Sequence, residues 1–465
     1  MRKRPQPRRA QGLTRDRVLA WLDGRINYER VTTSGSASAA FGVTRMRRLL
    51  EKLGNPHRRY GVVHVAGTKG KGSVVTMLAA ILEEAGHRVG RYLSPHVHML
   101  EERIAVDGRP IPGPDLVAAL SRVIPAVEAL DASEARRGRG GPTWFEVLTA
   151  AAFTHFADAE VDIAVIETGL GGRLDATNVC NPLASVITSI SLDHMKFLGP
   201  TLSRIAAEKA GIIKRACPVV CGATHPAARR VIATIARRRR APLTQYGRDF
   251  TVTVFPATVG KEPLSGCTFS LETRADDTAN TRRYRIPLAG HHQAENAALA
   301  VVAAATVAER GVAVDERAVV RGLARATLPA RIETVARGPL VVVDAAHNLA
   351  SMEALASTLR PVLAKHPRRA LVFAASADKQ VERMLATVRG LFDEVVITRY
   401  LRNPRATPLA RLRAACRAAG LPAPLEAESP RAALRAARSA VGPRGIVVVA
   451  GSFFLAAEVG AARPR

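Results

Sequence analysis

The chain has 465 residues, a length that favours two or more packed domains, and its 47% hydrophobic content is typical of full-sized cores rather than of a disordered protein. Its formal net charge of +28 points to anionic partners, but the 4% aromatic content and the lack of a nucleic-acid-binding motif argue against a nucleic-acid-binding protein. Five cysteines without a repeated short spacing argue against a disulfide framework, and no apolar stretch has the length of a bilayer span.

Short β-branched runs alternate with alanine- and leucine-rich stretches, which predicts an α/β fold built on parallel strands. In chain order, the candidate strands are YGVVHVAG, VDIAVIET, LASVITSI, CPVVCG, GPLVVVDAA, RALVFAAS, DEVVIT and GIVVVAGS. Nearly all are apolar on both faces, as in central strands that helices cover on each side. From about Phe250 to Arg285, polar and apolar residues alternate, which predicts a small antiparallel sheet. A helix in HHQAENAALAVVAAATVAER follows.

The stretch GVVHVAGTKGKGS has the order strand, glycine-rich turn, helix, which is typical of a phosphate site. The spacing departs from the common P-loop, because Val65 stands where the first glycine is expected and Gly72 separates Lys71 from Ser73. The glycines allow a close approach of the backbone, Lys71 can meet the β/γ-phosphates, and Ser73 can ligate magnesium. The predicted nucleotide-binding residues of this turn are Gly67, Thr68, Lys69, Gly70, Lys71, Gly72 and Ser73.

This GTKGKGS turn resembles that of the Mur ligase superfamily of ATP-dependent amide ligases, and within it that of the folylpolyglutamate synthase/dihydrofolate synthase family. The resemblance continues, in chain order, through LSPHVHMLEERIAVDGRPI, ETGLGGRLDATNV, ITSISLDHMKFLG, EKAGIIK, GHHQAENAALA, ARIE, DAAHN and GSFFLAAEV. These motifs cover nearly the whole chain. Two of them depart from the family pattern: DAAHN stands where DGAHN is expected, and Asp378-Lys379-Gln380 lacks a second carboxylate.

The resemblance implies two domains. Residues 1–315 are expected to form a P-loop-type parallel-sheet ATP-binding domain with the small antiparallel sheet, and residues 328–465 a smaller Rossmann-like α/β domain that binds glutamate and completes the ATP site. The helical pattern ends at Gly311 and TLPAR interrupts the series, so we place the boundary within residues 312–328. Residues 1–15 are expected to be a disordered basic tail, and ASEARRGRGGPT, from Ala132, a mobile surface insertion.

The resemblance also implies the reaction: an ADP-forming ligase adds L-glutamate to dihydropteroate, to reduced folates, or to both. ATP would phosphorylate the acceptor carboxylate, and the amino group of glutamate would attack the acyl phosphate. Such a transfer needs positioning and charge neutralisation, which Lys71 and two magnesium ions would supply. The candidate catalytic residues are Lys71, Lys209 and His347.

The resemblance implies that Ser73, Glu167 and His194 are magnesium ligands and that Lys209, as a carbamate, holds a second ion. Glu167 follows an apolar strand, so its carboxylate is expected at the strand end where α/β sites form. Taken alone, His194 would more often be a hydrogen-bonded structural histidine, because histidine is an uncommon magnesium ligand. Lys209 alone would be a solvated surface lysine beside Glu208.

The remaining nucleotide contacts are also carried over by resemblance. Asn296 matches the position that contacts adenine, and Asp344 and Arg331 match positions on the ribose and the phosphates. His347 lies at the position near the transferred phosphoryl group and the incoming glutamate, so closure of the two domains would complete the site.

For the acceptor, Asp175 matches a residue that family members use for the pteridine ring. The stretch LSPHVHMLEERI matches a mobile loop over the folate site. Its Glu102 and Arg103 are candidate substrate-binding residues, although they could equally form a local ion pair.

The implied partners are small molecules only: ATP, magnesium, L-glutamate and a pterin or folate acceptor. We expect a cytoplasmic monomer with no nucleic-acid or membrane partner. One alternative is a peptidoglycan precursor ligase of the same superfamily, although the turn begins at Gly67 and leaves little room upstream for a uridine-nucleotide domain. Another is a nucleotide-dependent nucleic-acid-binding protein, which the charge alone suggests.

Overall fold

A computed structural model describes residues 14–29, 42–255, 264, 266–275 and 278–460. The helices within them are α1 (Arg15–Asp23), α2 (Val43–Lys52), α3 (Lys71–Glu84), α4 (Gly113–Ala135), α5 (Trp144–Asp158), α6 (Met195–Leu198), α7 (Leu202–Ala210), α8 (Pro226–Arg238), α9 (His291–Ala308), α10 (Glu316–Arg325), α11 (Leu349–Leu363), α12 (Val381–Ala386), α13 (Leu409–Ala418), α14 (Pro430–Val441) and α15 (Phe453–Gly460). None of these helices combines the length and apolar character that crossing a membrane requires.

The strands are β1 (Gly61–Ala66), β2 (Val89–Tyr92), β3 (Ile104–Val106), β4 (Arg109–Pro110), β5 (Ile163–Glu167), β6 (Ala184–Ile187), β7 (Val219–Cys221), β8 (Leu243–Gln245), β9 (Phe250–Phe255), β10 (Cys267–Ala275), β11 (Thr278–Ile286), β12 (Glu333–Ala336), β13 (Leu340–Val343), β14 (Arg369–Phe373), β15 (Glu394–Thr398), β16 (Leu425–Ala427) and β17 (Ile446–Ala450). All eight strands named from the sequence are present at the expected places. The alternation of strands and helices confirms the predicted α/β class.

The first sheet has eight strands in the order β4-β3-β2-β5-β1-β6-β7-β8. The six strands from β2 to β8 in this order are parallel, while β3 and β4 add an antiparallel edge. Successive residues of β1 enter different cores: Val62 packs with α5, whereas Val63 and Val65 pack with α3 and α9. Because helices cover both faces, the strand is apolar except at His64, which is buried and lies 2.8 Å from Thr177 Oγ1 through its Nε2.

The register of the first sheet brings three strand ends together. Val65 of β1 pairs with Glu167 at the end of β5, and Ala66 pairs with Ile187 at the end of β6. The turn after β1, Glu167 and the segment after β6 therefore meet at one edge, the edge at which ligands bind in open parallel sheets.

The expected antiparallel sheet is present as β11-β10-β9. Its buried residues Phe269, Leu271 and Ile286 pack in the same core as α3 and α9. This sheet is therefore attached to the first α/β unit and does not form a separate core.

The second large sheet has six strands in the order β12-β13-β17-β14-β15-β16. All neighbours are parallel except β12, which runs antiparallel to β13. Buried residues line both faces, with α11, α12 and α13 on one side and α14 and α15 on the other. This sheet is the predicted second α/β series.

The segment in which we placed the domain boundary contains α10. Val319 and Leu323 of this helix are buried in the core of the first sheet, and a Cβ at Gly322 would lie 2.5 Å from Ile81 Cα of α3. By its packing, α10 therefore belongs to the N-terminal unit, and the crossing to the second sheet follows Ala326. The division into two domains itself stays a prediction.

Two segments differ from what the sequence suggested. Arg15 begins α1 and donates to Glu101 Oε1 (2.7 Å), so the expected tail does not extend through residue 15; residues 1–13 lie outside the described residues. Residues 132–135 form the last turn of α4, where the predicted insertion was expected to be mobile. The buried Glu134 carboxylate there pairs with Arg48, Arg137 and Arg139. A buried charge with several partners holds the segment in place.

Candidate active site

The glycine-rich turn that was predicted to bind phosphate lies between β1 and α3. Gly67 (φ 154°) and Gly70 (φ 83°) adopt backbone conformations that favour glycine. A Cβ at Gly67 would lie 1.8 Å from Thr188 Oγ1, and a Cβ at Gly70 would lie 2.1 Å from Asn296 Oδ1. At both positions a side chain would clash with these neighbours, so glycine is required. Asn296, the predicted adenine contact, lies directly against the turn.

The turn is fastened to the segment after β6. Thr68 N donates to Ser189 O (2.7 Å), and Thr188 Oγ1 donates to Lys69 O (2.6 Å). The turn continues directly into α3, whose first regular bond is Val74 N to Gly70 O (2.9 Å). The amides of the first helical turn have no intrahelical acceptor, so they are available to an anion, as at the phosphate sites of other α/β proteins.

Lys71, Ser73 and Glu167 lie together at this edge. Lys71 Nζ is 3.5 Å from Glu167 Oε1, and Glu167 Oε2 accepts a bond from Ser94 N (2.9 Å). Burial raises the pKa of the Glu167 carboxyl, while Lys71 opposes that rise. Ser73 is buried on the first turn of α3. The structure thus brings the predicted carboxylate, lysine and hydroxyl to one place.

Their suitability for magnesium can be tested from the donor set. No group of three or more His, Cys, Asp and Glu side chains that could hold a metal ion occurs in the described part of the chain. Magnesium does not require one, because it is commonly held by one or two carboxylates, water and substrate phosphates. The buried hydroxyls of Thr168, next to Glu167, and of Ser191, next to Thr68, have no hydrogen-bond partner among the described residues. These donors fit an ion that takes much of its coordination from water and phosphate.

Lys209 is buried, with 4% of its surface exposed, although the helix pattern alone suggested a solvated lysine. Its Nζ donates to Gly67 O in the phosphate turn (2.7 Å). Burial, followed by the charge of Lys71, holds the pKa of Lys209 well below its ordinary value. Lys209 therefore lies at the predicted site and is a buried amine with a single protein acceptor among the described residues.

His194 has a left-handed backbone (φ 49°) and directly precedes α6. Its side chain is 41% exposed, and its Nε2 lies 4.0 Å from Asp193 Oδ1. The ring is therefore not a buried structural histidine, and its role as a metal ligand stays a prediction.

Asp193, which sequence reasoning missed, is the centre of a charge cluster across the two sheets. Its Oδ2 accepts bonds from Lys69 Nζ (3.0 Å) and Asn348 Nδ2 (2.6 Å), and its Oδ1 accepts one from Lys379 Nζ (2.9 Å). Burial alone would raise the pKa of Asp193, but Lys69, His194 and Lys379 hold it far below its ordinary value. The only signal for Asp193 in the sequence was its position beside His194.

His347, from the second sheet, reaches the phosphate turn. Its Nδ1 lies 2.9 Å from Ala345 O, a group that can only accept, so Nδ1 carries the proton and Nε2 accepts a bond from Lys69 Nζ (2.8 Å). Burial, then Lys69 and Lys379, hold the pKa of His347 well below its ordinary value. A neutral imidazole from one unit thus meets the nucleotide turn of the other.

Asp344 and Arg331 lie next to each other at the start of the second unit. Asp344 accepts bonds from Ile332 N (2.9 Å) and Ala346 N (2.7 Å), and its burial raises the pKa of its carboxyl. The guanidinium of Arg331 lies over the Phe453 ring (4.9 Å). Ala330 and Ile332 on either side of Arg331 have positive φ values of 53° and 50°. Such strained conformations cluster at ligand sites.

Asp175, the predicted pterin contact, is engaged within its own loop. Its Oδ1 accepts bonds from Thr177 N (3.0 Å) and Thr177 Oγ1 (2.5 Å), and its Oδ2 accepts one from Leu170 N (2.8 Å). His64 Nε2 lies 2.8 Å from Thr177 Oγ1 and supports this arrangement from β1. The described contacts therefore show a loop-shaping role, and the pterin contact stays a prediction.

Glu102 and Arg103 do not pair with each other. The Glu102 carboxylate accepts bonds from the backbone N–H groups of residues 97–99. Both terminal nitrogens of Arg103 bind the Glu29 carboxylate (2.8 and 2.6 Å). The alternative prediction of a local ion pair between them is therefore wrong. Both side chains instead bind parts of the backbone or side chains that shape the loop over the expected folate site.

Comparison with known proteins agrees with this geometry. The family model for the Mur ligase middle domain matches residues 140–304, and that for the Mur ligase glutamate ligase domain matches residues 330–453. The first match ends within α9 and the second begins just before Arg331. The crossing that follows α10 lies between the two matches.

Three relatives extend the comparison. The chain is 39% identical over 368 residues to dihydrofolate synthase/folylpolyglutamate synthase of Bacillus subtilis, covering 79% of this chain and 80% of that protein. The folylpolyglutamate synthase of Mycobacterium tuberculosis complexed with ADP and AMPPCP superposes with a TM-score of 0.84 at 35% identity, covering 96% of this chain and 98% of that one. E. coli FolC in complex with DHPP and ADP superposes with a TM-score of 0.79 at 29% identity, covering 98% of this chain and 98% of that one. The chain therefore belongs to the dihydrofolate synthase/folylpolyglutamate synthase family and is an ADP-forming carbon–nitrogen ligase.

Proposed function

We propose that this ligase joins L-glutamate both to dihydropteroate and to reduced folates. The observation that carries the proposal is the bond between Lys69 Nζ in the nucleotide turn and His347 Nε2 in the second unit (2.8 Å). It joins an ATP site to a unit that matches a glutamate ligase domain. The B. subtilis relative bears both synthase names, which favours the two acceptors over one.

In this proposal the chain has two domains, residues 1–315 extended by α10 and residues 328–465, and ATP bridges them. The nucleotide turn binds the phosphates through its amides and through Lys71, and Asn296 lies against the turn where it can contact adenine. Asp344 and Arg331 contribute the ribose and phosphate contacts from the second domain. Positioning of this kind is the main requirement for phosphoryl transfer, because the protein forms no covalent bond in that step.

We further propose that Ser73, Glu167 and His194 are magnesium ligands and that carbamylated Lys209 holds a second ion. The ions supply neutralisation of charge on the transferred phosphoryl group. Carbamylation of Lys209 needs its amine in the neutral form. The buried setting of Nζ, whose one acceptor in the described part of the chain is Gly67 O, favours that form over the ammonium. Carbon dioxide would add to this neutral amine with loss of one proton, and the resulting carbamate would present oxygen donors in place of the amine.

Glutamate attacks the acyl phosphate as its neutral amine, whose N–H groups need an acceptor that orients the lone pair. His347 Nε2 carries a lone pair, because Nδ1–H is directed to Ala345 O. When the phosphates of ATP draw Lys69 away, Nε2 is free to accept a hydrogen bond from the incoming amine. We therefore assign His347 to orient the amine, with Lys71 on the phosphates.

For the acceptor, we propose a site beneath the 94–103 loop, with Asp175 near the pteridine ring. Ser94 N binds the Glu167 carboxylate, so one end of this loop is attached to the reaction centre (2.9 Å). We also propose a cytoplasmic monomer; the cysteines are all free thiols, which is typical of a reducing compartment.

The test is ADP release by the purified chain with ATP, Mg²⁺ and L-glutamate, with dihydropteroate, tetrahydrofolate or a UDP-muramyl peptide as acceptor, and mass spectrometry of the products. We expect both pterin acceptors to gain glutamate and the muramyl peptide to remain unchanged. Turnover of one pterin only would restrict the proposal to that acceptor. Turnover of the muramyl peptide alone would overturn it.

A further inference from the structure

A second bridge joins the two units away from the nucleotide turn, and it centres on Arg405. Arg405 lies in the segment after β15, with 18% of its side chain exposed. Its Nη2 donates to Asp378 Oδ1 (2.6 Å) within the second unit. Its Nη1 crosses to the N-terminal unit and donates to Glu29 O (3.0 Å). One guanidinium thus binds both units at the same time.

Glu29 connects Arg405 to the 94–103 loop. Its carboxylate binds both terminal nitrogens of Arg103, a side chain only 1% exposed. Arg103 Nε donates to His96 Nδ1 in the same loop (2.9 Å), and the guanidinium lies over the Trp144 ring (4.9 Å). Among the described residues, Glu29 is the one carboxylate that pairs with this buried cation, so a shift of Glu29 is expected to move the loop as well.

The bridge also continues toward the nucleotide turn. Asp378 lies beside Lys379, whose Nζ donates to Asp193 Oδ1 (2.9 Å), and Asp193 binds Lys69. Charges of alternating sign therefore run from the nucleotide turn to Arg405, which binds the backbone carbonyl of Glu29. The other end of the 94–103 loop is attached to Glu167 through Ser94 N. The loop is thus held at one end by a predicted metal ligand and at the other by Glu29, which Arg405 of the second unit binds.

We propose that Arg405 and Glu29 are positioning residues for the acceptor: closure of the second unit places Arg405 on Glu29, which holds Arg103 and keeps the 94–103 loop closed over the acceptor. Neither residue lies in the nucleotide turn. Loss of the bridge should therefore weaken acceptor binding and leave ATP binding unchanged. The inference rests on the proposed function, in which this loop covers the pterin or folate.

Arg405→Ala tests the bridge, and Arg411→Ala is its matched control. Arg411 donates to Ala377 O (2.7 Å), so it binds the same 377–379 segment, but it makes no described contact with the N-terminal unit. Loss of a hydrogen bond that is made by a charged group corresponds to a change of roughly tenfold in a binding constant. We expect Arg405→Ala to raise KM for the acceptor about tenfold and to change KM for ATP less than twofold, with both values unchanged in Arg411→Ala. Equal rises in both KM values, or equal effects of the two variants, would overturn the proposal.

Two further variants keep the test independent of folding defects. Arg405→Lys retains the charge but has one nitrogen for two partners, so we expect an intermediate acceptor KM. Glu29→Gln removes the ion pair with Arg103, and combining it with Arg405→Ala should add little, because both act on the same loop. Full additivity of the two changes would show that they act separately and would refute the bridge.

Amide hydrogen exchange of the 94–103 loop in the full chain gives a readout without turnover. We expect faster exchange in Arg405→Ala and wild-type exchange in Arg411→Ala. Unchanged exchange in Arg405→Ala would refute the bridge even if the enzyme is active. If the wild-type protein transfers glutamate to no acceptor while the exchange result holds, the proposed function fails and the bridge stands.

Discussion

Replacement of Asp193 by asparagine tests the charge cluster that joins the two units. The carboxylate accepts four described bonds: Oδ2 binds Lys69 and Asn348, and Oδ1 binds Lys379 and the backbone N–H of His194. In Asp193→Asn one of the two oxygens becomes an N–H₂ group. Whichever oxygen is replaced, the new N–H₂ group faces two hydrogen-bond donors. Lys69 and Lys379 also lose their counter-charge.

The size of the effect follows from burial. Removal of one partner from a buried ion pair costs about 3–5 kcal/mol. Asp193 is 7% exposed, but Lys69 and Lys379 are 21% and 11% exposed, so solvent relieves part of the loss. We expect the free energy of unfolding to fall by about 3 kcal/mol and, if closure requires the cluster, turnover to fall about a hundredfold.

The measurement is denaturant unfolding at pH 7 together with the rate of ADP release. At this pH the contribution of Asp193 is complete, because a depressed folded-state pKa gives stability above the unfolded-state value of about 4 that is lost only at lower pH. Asp158→Asn is the control, since Asp158 forms an exposed ion pair with Arg122 that should contribute less than about 1 kcal/mol. A loss in Asp193→Asn no larger than in Asp158→Asn would refute the reasoning.

Three further predictions concern single residues. Lys209→Ala should abolish glutamate transfer and recover part of it with added short carboxylic acids, in an ADP-release assay; an unaffected variant would remove the carbamate from the mechanism. Gly70→Ala, whose Cβ would lie 2.1 Å from Asn296 Oδ1, should raise KM for ATP at least about tenfold. Gly86→Ala, which has a similar φ of 91° but nothing within 4 Å, should cost only about 1 kcal/mol of stability, and a similar KM for ATP in both variants would contradict the steric argument. Burial lowers the pKa of His64 to about 3, so only the unfolded chain gains this proton as the pH falls from 6.5. The free energy of unfolding should therefore fall by about 1.4 kcal/mol for each pH unit below 6.5 because of His64. In His64→Gln, the slope of the free energy of unfolding against pH should be smaller by the equivalent of one proton; an unchanged slope would assign the acid sensitivity to other groups.

The local patterns of the sequence were sufficient for the fold class and for the nucleotide turn. Apolar runs predicted eight strands, all of which lie inside the two large sheets, because a strand that is covered on both faces is apolar at most positions. The strands β2 and β3, which also lie inside the first sheet, were not predicted. The turn and its glycines could be predicted from neighbouring residues alone, and Glu167 could be predicted from the strand that it ends. Each of these features depends on residues within one strand, turn or helix.

The remaining site was decided by contacts between distant parts of the chain. Lys209 has the sequence context of a surface lysine, and only the packing of α7 against the nucleotide turn buries its amine. Asp193 gains its partners Lys69 and Lys379 because β6 ends beside β1 in one sheet while the second sheet faces that edge. Arg103 meets Glu29 across 74 positions and not its neighbour Glu102. Such pairings depend on sheet order and on the approach of the two units, which no local period or spacing encodes, so only the tertiary structure could assign them.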